Sequence, residues 1–131
     1  MKEKQKTCIT IIEQSGLLPL AKFTDVINIT HNVHKIRVAS IGGIITNVGY
    51  VPPYDDDIYY ITSDLISNTH DNILGSFNNI TGTNSKNKEF RPTSISINGE
   101  YEFTIYQSNN EIGVFPGKIF IDLEFIELEN D

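Results

Sequence analysis

Four apolar side chains at every second position, Ile119, Ile121, Leu123 and Phe125, constrain this chain more than any other feature, because acidic Asp122 and Glu124 alternate with them. A period of two places the apolar set on one face of an extended strand and the acids on the other. A helix would scatter the same residues around its circumference. The closing segment therefore reads as a strand with one face in a core and one in water.

The same reading extends back along the chain. Apolar, β-branched and aromatic residues gather in short runs at 7–12, 23–30, 35–41, 44–48, 58–66, 73–80, 94–97 and 101–106, bounded by Gly, Pro, Asn or Asp. In the third run Ile36 and Val38 face one way and Lys35 and Arg37 the other, whereas Phe23, Val26 and Ile29 form a looser pattern in the second. Gly42-Gly43 is read as breaking the third run, and Asn98-Gly99 as a two-residue hairpin turn. Pro52-Pro53 excludes 49–57 from any central strand, because proline has no N–H to donate. Residues 81–88 offer nothing to a core and read as a loop. Eight or nine short strands with no helix required predict an all-β, antiparallel sandwich or barrel. At 131 residues the chain is expected to form a single domain over 1–131.

Charge and composition exclude some functions. The formal net charge is −7, so nucleic acid is not expected as a partner: a basic surface that neutralises phosphates is missing. No apolar run reaches the roughly 20 residues of a membrane helix, so no membrane association is expected. The charged start, with Lys2, Lys4 and Lys6, does not read as a signal peptide, and synthesis inside the cell without secretion is expected. The glycosylation patterns Asn28-Ile29-Thr30 and Asn79-Ile80-Thr81 would matter only in a secretory path.

Candidate chemistry is sparse. Cys8 is the one cysteine; among β-branched neighbours it reads as a small buried hydrophobe. His31 and His34 are three apart, a spacing that puts them on opposite faces of a strand, so no metal site is expected of them. Asp55, Asp56 and Asp57 could offer carboxylates to calcium, but three adjacent like charges read more simply as a solvated loop. His70-Asp71 has no hydroxyl nucleophile in a recognisable elbow, and Gly42-Gly43 lacks a phosphate-loop lysine. No catalytic residue, cofactor or metal is assigned. Acidic Glu124, Glu127, Glu129 and Asp131 oppose the basic start, an asymmetry suited to end-to-tail pairing of subunits. Tyr50, Tyr54, Tyr59 and Tyr60 cluster near the proline pair, where aromatic rings suit a subunit interface or sugar stacking. For Tyr59 and Tyr60 a place in the core is an equal alternative. Tyr50, Tyr54, Asp55, Asp56 and Asp57 are the candidate interface or ligand-loop residues.

Two stretches carry a family resemblance. The first is Asp57-Ile58-Tyr59-Tyr60-Ile61-Thr62-Ser63-Asp64-Leu65-Ile66, followed by Ile73-Leu74-Gly75-Ser76-Phe77-Asn78-Asn79-Ile80. The second is Thr93-Ser94-Ile95-Ser96-Ile97, the run 101–106, and Val114-Phe115-Pro116-Gly117 leading into the closing strand. Together they resemble penton-like single jelly-roll capsid proteins of virophages, Polinton-type elements and related double-stranded DNA viruses. The resemblance implies a single jelly roll with a structural, non-catalytic role in a virion. It also implies a homo-oligomer, a pentamer ahead of a trimer, with other capsid proteins as partners. The same strand pattern also suits a jelly-roll carbohydrate-binding or receptor-attachment module.

Overall fold

The computed structural model describes residues 2–14, 22–45, 59–67, 73–77, 88–107, 110–111 and 117–129. These residues form strands β1 (Glu3–Gln14), β2 (Lys22–Asn28), β3 (Lys35–Ile45), β4 (Tyr59–Ser63), β5 (Ile66–Ser67), β6 (Ile73–Phe77), β7 (Lys88–Pro92), β8 (Asn98–Gln107), β9 (Asn110–Glu111) and β10 (Gly117–Leu128), with no helix among them.

Every pairing is antiparallel. The pairs β1–β10, β2–β8, β3–β7 and β4–β6 nest one inside the next along the sequence, like the two legs of one long ribbon. The pairings β10–β3 and β8–β4 then roll that ribbon into two sheets. A first sheet runs β1-β10-β3-β7-β5 and a second β2-β8-β4-β6, with β9 attached to β8. This winding is a jelly roll, an antiparallel β-sandwich. Ile11, Ile36, Val38, Ile41, Ile119, Ile121, Leu123 and Phe125 of the first sheet meet Ile27, Tyr59, Ile61, Leu74, Phe77, Phe103 and Ile105 of the second in one core cluster.

Alternation explains most of the strands, and β10 follows it as read: Ile119, Ile121, Leu123 and Phe125 are all buried. Three turn readings are corrected. Gly42-Gly43 does not break a strand, because β3 runs through both. A Cβ on Gly43 would lie 2.6 Å from the Lys118 carbonyl oxygen, so glycine here lets β10 approach rather than ending β3. Asn98-Gly99 is no hairpin: both residues belong to β8 and pair with Asn28 and Ile27. Gly99 does have a positive φ of 148°, a conformation open to glycine alone, and the segment before it is an arm rather than a strand. The carbonyls of Ile95 and Ile97 in that arm accept hydrogen bonds from the N–H groups of Val33 and Ile29. Lys88, read as loop, begins β7, with its ammonium 5.6 Å from the centre of the Phe90 ring. Residues 81–87 lie outside the described residues.

Between β4 and β5 the chain crosses from the second sheet to the first, and the Ser63-Asp64-Leu65 sequence builds that corner. Ser63 Oγ accepts the Leu65 N–H at 3.1 Å, Asp64 Oδ1 accepts the Glu102 N–H at 2.9 Å, and the Leu65 carbonyl accepts the Thr93 N–H at 3.1 Å. β4 has ended by this point, so Asp64 supplies the partner that the next ladder rung would have given Glu102.

Candidate functional site

The outer face of the first sheet carries a charge network. Arg37 on β3 reaches three strands: Nη2 donates to Glu3 Oε1 on β1 at 2.8 Å and to Glu89 Oε2 on β7 at 3.0 Å, and Nη1 donates to Glu124 Oε1 on β10 at 3.0 Å. Lys6 pairs with Glu124 at 3.2 Å, Lys35 with Glu89 at 3.1 Å and Lys4 with Glu127 at 4.0 Å. Beneath it lies Ile126, fully buried although outside the core cluster. Its register neighbours are Lys6 and Lys35, whose aliphatic stems suit the task of shielding an apolar side chain.

Lys4 and Lys6 of the basic start thus meet Glu127 and Glu124 of the acidic end inside one subunit, because β1 and β10 are neighbours. Burial pushes the Glu124 carboxyl up, but hydrogen bonds from Arg37 and Lys6 outweigh burial and hold it below its ordinary value of 4.5. Glu124 therefore contributes stability that is present above pH 4.5 and lost as pH falls through the lowered value. Arg37→Met is expected to cost about 1–2 kcal/mol after allowance for solvent screening, less in high salt. Urea unfolding at two salt concentrations checks this; an unchanged stability at low salt would show the network to be ornamental.

The outer face of the second sheet is aromatic and hydroxylic. Tyr60 and Tyr106, opposite each other on β4 and β8, stack with ring centres 5.1 Å apart and planes 10° from parallel. Thr62, Thr104 and Ser76 are their neighbours in register. Tyr59 points the other way into the core and stacks on Phe77 at 5.5 Å. The two adjacent tyrosines thus divide between core and surface, as strand alternation demands. Tyr106 was missed by sequence reasoning, although its place in an alternating run opposite Tyr60 becomes plain once the strands pair. Tyr50, Tyr54, Asp55, Asp56 and Asp57 lie outside the described residues, as do His70 and Asp71.

Cys8 is exposed, against the expectation of burial. On β1 the inward positions belong to Ile9 and Ile11, which leaves Cys8 beside Lys6 and Thr10 on the outer face. His31 and His34 serve separate ends. His31 Nδ1 donates to the Asn32 carbonyl at 2.8 Å, and its Nε2 lies 2.8 Å from Thr7 Oγ1. His34 Nδ1 accepts the Leu128 N–H at 3.0 Å, which holds the last turn of β10 against the loop before β3.

One buried group stands apart. Phe23, Asp25 and Ile27 occupy the inward positions of β2, which with β6 is one of the two outermost described strands of the second sheet. Asp25 Oδ2 is shielded from water and has no hydrogen-bond partner among the described residues. Burial pushes the Asp25 carboxyl above its ordinary value of 3.8. A proton held more tightly in the folded state adds stability below pH 3.8, which is lost as pH rises through the raised value. Asp25 and Glu124 therefore tilt the acid side of the stability curve in opposite directions.

Among the described residues no group of three or more His, Cys, Asp or Glu stands where it could hold a metal ion, and no helix is long and apolar enough to cross a membrane. The described surface offers the outer faces of two sheets and four edge strands, β1, β5, β2 and β6. No protein-family model, curated protein or solved structure matches this chain.

Proposed function

We propose that the chain is a non-catalytic building block of a virion, a penton-like or minor capsid jelly roll that assembles with copies of itself and with other capsid proteins. The observation that carries this reading is the strand order β1-β10-β3-β7 against β2-β8-β4-β6, the rolled ribbon of a single jelly roll. A fold assigns no function by itself. The reading also draws on the resemblance carried by residues 57–66, 73–80, 93–97, 101–106 and 114–125. Rigid sheets locked by a charge network suit a subunit that must keep its shape among neighbours. In a five-fold ring one surface of each subunit meets a different surface of the next. Synthesis in the host cell and a place in the virion belong to the same reading.

Light scattering of the purified protein at two concentrations tests it. A pentamer, or growth into larger shells, is the expected result, and a strict monomer at high concentration would sink the proposal. A second reading, a carbohydrate-binding or receptor-attachment module, is favoured by the stacked Tyr60–Tyr106 pair with the half-buried Thr62 on the same face. Sugars stack on such rings and bond such hydroxyls. A trimer with glycan binding that Tyr106→Ala abolishes would transfer the assignment to this reading.

A further inference from the structure

We propose that Asp25 is an edge guard: its inward carboxylate keeps β2 from accepting a further strand, such as β2 of a second copy of this chain. An outermost strand presents unpaired N–H and C=O groups that invite another strand. The sequence of β2, with Phe23, Thr24, Val26 and Ile27, has strong strand preference, and Val26 is 64% exposed on its outer face. Nothing in those four residues discourages pairing. Asp25 does, because it sits between Phe23 and Ile27 on the core side, opposite Tyr101 of β8. One carboxylate oxygen is already shielded and has no hydrogen-bond partner among the described residues, while the residue as a whole keeps part of its surface in water. A strand laid along β2 would cover that remaining access. An unpaired charge would then be sealed beside the core, and the desolvation cost opposes the bonds the new strand would form.

β1, an outermost strand of the first sheet, differs: Ile9 and Ile11 take inward positions. The guard thus closes one of the four edges, β1, β5, β2 and β6, among the described strands. This inference does not rest on the assembly reading, because it is read as a difference from the wild-type chain, whatever mass that chain has.

The test compares Asp25→Val with Thr24→Val, which adds the same apolar side chain on the exposed side of the same strand. Light scattering over a hundredfold concentration range gives the mass, urea unfolding the stability, and amide hydrogen exchange the location. Asp25→Val is expected to unfold at higher urea than wild type and to gain mass with concentration, with slowed exchange at 22–28. Thr24→Val is expected to keep the wild-type mass. The proposal is overturned by an Asp25→Val protein of wild-type mass at every concentration, by a lower urea midpoint, by association that leaves exchange at 22–28 unchanged, or by equal association of Thr24→Val. Should Asp25→Val fail to fold, Asp25→Asn removes the charge and keeps the shape: a gain in mass supports the guard, and wild-type mass overturns it.

Discussion

Leu123→Ala is expected to lower the unfolding free energy by about 2–5 kcal/mol, the range for truncating a fully buried leucine that leaves a cavity. Leu123 is 1% exposed at the middle of β10, flanked in register by Ile9 of β1 and Val38 of β3. β10 is paired on both sides, so its backbone has little freedom to collapse into the space. Chemical unfolding measures the loss, and Ile12→Ala serves as the control. Ile12 lies on the other side of the same sheet at 58% exposure and should cost no more than about 0.5 kcal/mol. A Leu123→Ala loss below about 1 kcal/mol would mean that the inward register of β10 is wrong.

Gly43→Ala carries the second large effect, an expected loss of about 1–3 kcal/mol from overpacking. The new Cβ would stand 2.6 Å from the Lys118 carbonyl oxygen and 2.9 Å from Ile119 Cγ2. A flexible side chain could swing aside, but the nearer obstacle is backbone that pairs β10 with β3. Two measurements separate a backbone clash from side-chain crowding: the stability of Gly43→Ala, and that of Gly43→Ala combined with Ile119→Val. The first should fall and the second should not recover. A stability equal to wild type would mean that β10 and β3 are not in close approach at this point.

The architecture was legible wherever a strand has one wet face. β10 and the Lys35-to-Val38 part of β3 could be oriented residue by residue, since a period of two leaves only one face for the core. β2 could not. The loose pattern of Phe23, Val26 and Ile29 assigned no inward face, because an acid, Asp25, holds an inward place while Val26 faces water. Cys8 failed for a similar reason: a small apolar residue in a β-branched run carries no mark of its face until the strand is paired. The glycine pairs misled because glycine signals turns and close backbone approaches alike. Gly43 makes a close approach, and Gly99 adopts a positive φ at the start of a strand. The aspartates and tyrosines singled out at 50–57 lie outside the described residues, so the legible part of the candidate surface reduces to Tyr60.

The amino-acid order by itself determined that this chain makes an all-β domain, and which residues of its last strand form the core. Both follow from short-range periodicity, a property of neighbours in sequence. Tertiary structure alone decided the rest, because it depends on which strands become neighbours in space. Winding the ribbon brings Glu3, Arg37, Glu89 and Glu124 from four strands into one network, sets Tyr106 on Tyr60, and leaves Asp25 at an edge with an oxygen sealed from water. No local pattern encodes such meetings, since each joins residues dozens of positions apart through register, and register is set only when whole strands pair.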